Sequence, residues 1–290
     1  MNRSNLHGRR LLLENPYAHI EQLDLEGEGS IPEAIRVSRK LLEDPYAHID
    51  GDGGFSALDA KREIPSRRWS FEEVERVAID LQRRLWKARH DLWDGHSPSP
   101  VEVLDVAKAA KLVGFDLKFV GSLGIFVDRS EKVSVAGIID RPNSSISVSG
   151  DFPWITRNFT AAHELGHALL HQHLDVVHRD RPLDGSILVR DRIELEADKF
   201  AVYFLMPEKL VRREFSDRFL AGQFVVSEET AFALSVPAAD VGRELGNKHK
   251  LARVLASATH YNGRHFYSLA EIFGVTIKAM AIRLEELRLV

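Results

Sequence analysis

The sequence predicts an α+β fold that is mostly helical, with a small antiparallel sheet in the middle of the chain. Three observations carry this. Apolar residues recur at helical spacing from Val74 to Leu92; short runs rich in Val, Ile and Phe, separated by turn residues, fill 115 to 149; and helical spacing returns to the C-terminus.

The first 65 residues hold twelve acidic residues against eight Lys or Arg, several glycines and little sustained periodicity, so they read as an irregular arm. The arm carries a duplication. Leu12-Leu13-Glu14-Asn15-Pro16-Tyr17-Ala18-His19-Ile20 returns as Leu41-Leu42-Glu43-Asp44-Pro45-Tyr46-Ala47-His48-Ile49. Two copies are too few for a solenoid. Ordered structure is expected to begin at Ser70, where Ser70 and Glu73 form a capping box for a helix with apolar positions at Val74, Val77, Ala78, Leu81, Leu85, Ala88 and Leu92. Ser99-Pro100 with Glu102 is expected to start a second helix, which Gly114 stops.

The sheet follows. Phe115 to Val120, Gly124 to Val127, Val133 to Asp140 and Ser144 to Ser149 are its expected strands, with a hairpin turn at Arg141-Pro142-Asn143. The strict alternation of Ser145 to Ser149, just ahead of the next helix, suits an edge strand to which a peptide could add. From 208 onward the pattern is helical, and Ser268 to Thr276 with Ile277 to Leu287 outlines a helix-turn-helix hinged at Gly274. Its charge is poor for DNA readout, with four Lys or Arg against three acids over 264 to 290. Packing or partner docking is the expected role.

Chemistry concentrates in Phe159-Thr160-Ala161-Ala162-His163-Glu164-Leu165-Gly166-His167. This is the HExxH pattern of zinc hydrolases. At 3.6 residues per turn the two imidazoles lie roughly 40° apart and one turn along a helix, so both can reach one ion, with Glu164 beside it. A third ligand is needed, and the helical stretch from Arg192 to Ala201 offers two choices. Glu194 and Asp198 share a face, whereas Glu196 lies roughly 200° round from Glu194. Glu194 is the preferred ligand and Glu196 the alternative. Only the first leaves a carboxylate, Asp198, on the same face to receive the other N–H of a ligand histidine. Zinc held by two neutral imidazoles and a carboxylate acidifies water and polarises a carbonyl, with Glu164 as general base.

The stretch Ile155 to His171, containing His163-Glu164-Leu165-Gly166-His167, resembles the ImmA/IrrE family of metallo-endopeptidases, as does Glu194 to Pro207 with its ending Phe204-Leu205-Met206-Pro207. A third similar stretch runs from Ser268 to Leu287. The resemblance covers roughly 70 to 215 and 266 to 290. It implies a zincin-like metallopeptidase core over 66 to 215, a C-terminal helical region over 216 to 290, and one Zn2+ per chain held by His163, His167 and Glu194. It also implies a protein substrate, often a DNA-binding repressor or an antitoxin.

Composition narrows the alternatives. Zero cysteines exclude disulfides, thiolate zinc sites and a cysteine nucleophile, leaving histidine and carboxylate as the strong metal ligands. A formal charge of −4 argues against direct nucleic-acid or anionic-membrane binding. The first residues have no signal-peptide core and no stretch approaches a membrane span, so a cytoplasmic location is expected. Other readings are a peptide-binding regulator without turnover, a DNA-binding regulator through the C-terminal helices, and an amidase acting on something other than protein. His171 continues the histidine face by one turn and reads as structural, with a hydrogen bond near the site as the alternative; His173 and His178 read as surface residues, with substrate contact as the alternative. Tyr203, roughly 180° from Glu194, is expected to face the core. His249, His260 and His265 have no metal-type spacing.

Overall fold

A computed structural model describes residues 68–128, 131–172, 178–180 and 192–290. The duplicated arm and His173 lie outside the described residues. Helix α1 (Phe71–Lys87) starts where expected: Ser70 Oγ accepts from Glu73 N at 3.2 Å, and Glu73 Oε2 accepts from Ser70 N at 2.9 Å. Val74, Val77, Ala78, Leu81 and Leu85 form its buried face. At Ala88 the helix ends, and a single turn, α2 (Arg89–Leu92), follows.

The second helix starts later than expected. Ser99 and Glu102 do exchange capping bonds, at 2.6 and 3.3 Å, but they close only one turn, and α3 spans Val106–Leu112. A stronger local signal explains the shift. Asp105 is extended and its side chain accepts from Lys108 N at 3.0 Å, so the chain leaves the first turn and caps again. Gly114, at φ +86°, stops α3 by presenting its own N–H and that of Phe115 to Lys111 and Ala110 carbonyls.

The strands described between 116 and 180 are β1 (Asp116–Val120), β2 (Ile125–Asp128), β3 (Glu131–Ser134), β4 (Gly137–Asp140), β5 (Ser145–Ser149) and β6 (His178–Asp180), and a short hairpin of His260–Tyr261 with Arg264–His265 lies in the C-terminal part. β2 and β3 make a separate ribbon; the other four of β1 to β6 form one sheet in the order β1-β5-β4-β6. The run from Val133 to Asp140 is therefore two strands. Val135 N donates to Gly124 O while Ser149 N donates to Ala136 O, so the run leaves one sheet and enters the other at these two buried residues.

The sheet is mixed where an antiparallel one was expected. β4 and β5 form the expected hairpin, with Ser144 N on Arg141 O at 2.9 Å, but β1 lies parallel to β5, pairing Asp116 with Ser145 through Val120 with Ser149. That places β5 inside the sheet, with Ile146 and Val148 fully buried. Its alternation is that of an interior strand, and both of its hydrogen-bonding edges are taken, so a peptide cannot add to it. Among the described residues the outer strands are β1 and β6.

Helix α4 (Trp154–Leu170) lies against β4 and β5, and α5 (Arg192–Leu205) packs along it. Gly166 allows the approach. A β-carbon there would meet Phe200 Cδ1 at 3.1 Å and the Ala197 backbone at 3.2 Å. On its other side α5 meets α1, where the buried Gln82 amide donates to the Tyr203 and Phe204 carbonyls at 2.9 Å. The core between these layers contains Leu81, Ile146, Leu165, Phe200 and Phe204.

The C-terminal part is helical: α6 (Glu208–Phe219), α7 (Glu228–Ala233), α8 (Val241–Glu244), α9 (Lys248–Ser257), α10 (Leu269–Ile272) and α11 (Ile277–Glu286). Gly274, at φ +59°, turns the chain between α10 and α11. Met280, Ala281 and Leu284 of α11 are fully buried, and the helix packs against α9. Among the described residues no helix is long and apolar enough to cross a membrane.

Candidate metal centre

Because α4 is a regular helix through Leu170, His163 and His167 project one turn apart on one side, and their Nε2 atoms come within 2.9 Å. The first turn of α5 brings Glu194 over them: Oε2 lies 3.4 Å from His163 Nε2 and Oε1 3.6 Å from His167 Nε2. Ligand atoms about 2.0–2.2 Å from a tetrahedral ion stand roughly 3.3 Å apart, so these spacings fit a zinc-sized ion. The donor set is also right: two imidazole nitrogens and a carboxylate turned on one point could hold a metal ion. The histidines are 2% and 1% exposed while the Glu194 side chain is 23% exposed, which leaves one side of the centre open to solvent.

Glu164 is fully buried beneath β4. A β-carbon on Gly137 would meet its Cγ at 2.8 Å and its Cδ at 2.9 Å, with Oε1 nearer still. Only glycine at this point of β4 leaves the carboxylate its room. Asp198, one turn along α5 from Glu194, has Oδ1 2.9 Å from His163 Nδ1. That contact fixes the ring with Nε2 turned inward.

Glu196 turns away from the centre. It is 1% exposed, and its Oε2 lies 3.2 Å from Nε2 of the buried His171. His171 Nδ1 in turn lies 3.0 Å from His167 Nδ1. Read as structural from the sequence, His171 directly contacts a histidine of the centre. Its spacing from His167 supports the alternative of a hydrogen bond near the site; nothing local could have paired it with Glu196, 25 residues on.

Arg141 was legible only as a turn residue. Its guanidinium leaves the β4–β5 hairpin and donates to the carbonyls of His167, Ala168 and His171, those to Ala168 and His171 at 3.1 and 2.9 Å. A fixed positive charge at the C-terminus of α4 complements the negative end of the helix dipole and holds the last turn, which carries His167. Tyr203 stands apart from the centre, half-buried under the Arg283 guanidinium at 5.2 Å, and burial pushes its hydroxyl pKa up. His178 begins β6. His249 pairs with Glu285, and His260 meets the Leu234 carbonyl, both in the C-terminal part.

Residues 128–233 match the family model described as Peptidase_M78, IrrE N-terminal-like domain. These residues form an ImmA/IrrE-family domain. The ImmA/IrrE match takes in β4, β5, α4, α5 and α6, and with them His163, Glu164, His167, Glu194, Asp198 and both members of the His171–Glu196 pair. The family is one of metallopeptidases, and a protein substrate accords with it. Helix α1, which supports α5, precedes the matched ImmA/IrrE segment, and α9 to α11 follow it. No curated protein matches the chain.

Proposed function

We propose that the chain is a zinc-dependent endopeptidase with a zincin-like core that cuts a peptide bond in a specific partner protein, a DNA-binding transcriptional repressor or an antitoxin. The observation that carries this is the convergence of His163 Nε2, His167 Nε2 and the Glu194 carboxylate on one point, with the buried Glu164 next in the chain to His163. The family match supports the peptidase reading, and the resemblance supplies the class of partner. A divalent ion held by the three side chains supplies Lewis-acid polarisation of the scissile carbonyl and lowers the pKa of the attacking water.

The protein's own groups do the rest. Asp198 holds His163 with Nδ1 as donor, keeping Nε2 available. Arg141 holds the end of α4 in place, so that His167 keeps its position relative to His163. Glu164 accepts the proton of the attacking water on its carboxylate and passes it to the departing amine nitrogen. Burial against β4 confines this carboxylate to one position, which general base catalysis rewards.

The test begins with a DNA-binding protein that co-purifies with the chain, incubated with the zinc-loaded enzyme and examined for a cut by intact-mass analysis. Glu164→Gln should retain zinc and partner binding while turnover falls by roughly 10²- to 10⁴-fold. His167→Ala should lose zinc and cleavage together. Cleavage by Glu164→Gln at near the wild-type rate would remove Glu164 from the mechanism, and zinc retained by His167→Ala would refute the ligand assignment.

A further inference from the structure

The two histidines of the centre are backed differently. His163 Nδ1 meets a carboxylate directly, at 2.9 Å from Asp198 Oδ1, whereas His167 Nδ1 meets another imidazole, at 3.0 Å from His171 Nδ1. A neutral imidazole carries one N–H and one bare nitrogen. For His167 Nε2 to present a lone pair to a metal ion, its proton must sit on Nδ1. His171 Nδ1 must then be the acceptor and His171 Nε2 the donor. The structure meets that requirement: His171 Nε2 faces Glu196 Oε2 at 3.2 Å, and a carboxylate oxygen there serves as the acceptor.

Glu196 is itself fixed. Its Oε1 accepts from Arg192 Nε at 2.8 Å and from the Trp69 backbone N–H at 3.2 Å, while Arg192 Nη2 donates to the Trp69 carbonyl at 2.5 Å. The Trp69 indole N–H donates to Leu170 O at 3.0 Å, tying the same residue to the end of α4. His167, His171 and Glu196 are each at most 1% exposed, so water does not compete for their bonds.

We infer that His171 and Glu196 form a positioning relay behind His167, closed by the Trp69 backbone, which sets the proton arrangement that turns His167 Nε2 toward the metal position. The relay rests on the metal-site reading above, and it adds two side chains and a backbone segment outside the ligand set to what determines metal affinity. Each ligand histidine then ends on a carboxylate, directly at Asp198 and one imidazole further on at Glu196. Losing such outer partners typically weakens metal binding by about 10- to 100-fold. Trp69 precedes α1, so the lead-in to the first helix is part of the metal site.

The experiment measures the Zn2+ dissociation constant of the full chain by competition with a chromophoric chelator, in wild type, His171→Phe, His171→Gln and Glu196→Gln. Phenylalanine keeps the volume of the imidazole and cannot accept from His167. Glutamine can accept on its oxygen and donate from its nitrogen, which reproduces the polarity of His171. Affinity should fall roughly 10- to 100-fold in His171→Phe and should be largely recovered in His171→Gln. Glu196→Gln, which alters charge and not size, should also weaken zinc, and serves alone if His171→Phe does not fold. Nitrogen-15 shifts of the imidazoles should show His171 protonated on Nε2 and bare on Nδ1. Wild-type affinity in His171→Phe or Glu196→Gln, equal loss in the Gln and Phe variants, or the opposite tautomer overturns the relay. Failure of wild type to bind zinc overturns instead the reading on which it rests.

Discussion

Gly137 and Glu164 compete for one small volume, and the glycine's lack of a side chain decides in favour of the carboxylate. A methyl group there would overlap Glu164 Cγ and Cδ, and the fully buried carboxylate has no solvent side to which it can retreat. Gly137→Ala should therefore displace Glu164 or push β4 outward without touching His163, His167 or Glu194. Zinc content should stay at one per chain while turnover drops by roughly 10²-fold or more. Metal analysis beside a cleavage assay checks this, and unimpaired turnover would show that the carboxylate has room to spare.

Between elements, the decisive distance is that of α4 from α5, because Glu194 stands on one helix and the two histidines on the other. Gly166 sets this distance through its contacts with Ala197 and Phe200. A valine at 166 would have to force α5 outward, at a cost of about 1–3 kcal/mol for overpacking, and would carry Glu194 away from both imidazoles. Gly166→Val should lower the melting temperature and weaken zinc in the same protein, whereas Gly137→Ala should leave zinc alone. Wild-type zinc affinity in Gly166→Val would mean that α5 is positioned from its other face, by α1.

Across the whole molecule, α1 and α11 both bring charged side chains near Tyr203. Arg283, 4% exposed, donates to Met206 O at 3.1 Å and pairs with Glu286, while Glu75 of α1 has its pKa raised, first by burial and then by Glu208 and Glu72, against the lowering influence of Arg283. A carboxyl whose pKa is raised on folding stabilises the fold when protonated. That contribution is fully present below the unfolded value of 4.5 and is lost as pH rises through the folded value. Glu75→Gln, which cannot ionise, should raise the melting temperature at pH 7 and give no gain at pH 4. A uniform shift at both pH values would show that ionisation of Glu75 is not what limits stability at pH 7.

Features set within one or two turns of chain were legible from the residues alone. The Ser70–Glu73 box, the stop at Gly114, the Arg141–Asn143 turn, and the spacing of His163 and His167 on one face all arise from near neighbours, and helical period and capping chemistry suffice to read them. Where two local signals compete, as at Ser99 and Asp105, the pattern is ambiguous and packing around the buried Val103 and Leu104 accompanies the later start. Sheet order was out of reach. The alternation in β5 reports that one face is buried and is silent about whether an edge is free, so its pairing with β1, which made the sheet mixed, appeared only in three dimensions. The same holds for the roles of Glu194 and Glu196. Helical spacing narrowed the choice to two faces of α5; the close approach at Gly166 then brought one face onto the histidines, while Glu196 was buried against His171 and Trp69, 25 and 127 residues away. Contacts at such separations depend on which surfaces the whole chain buries together, and no window of sequence contains that information.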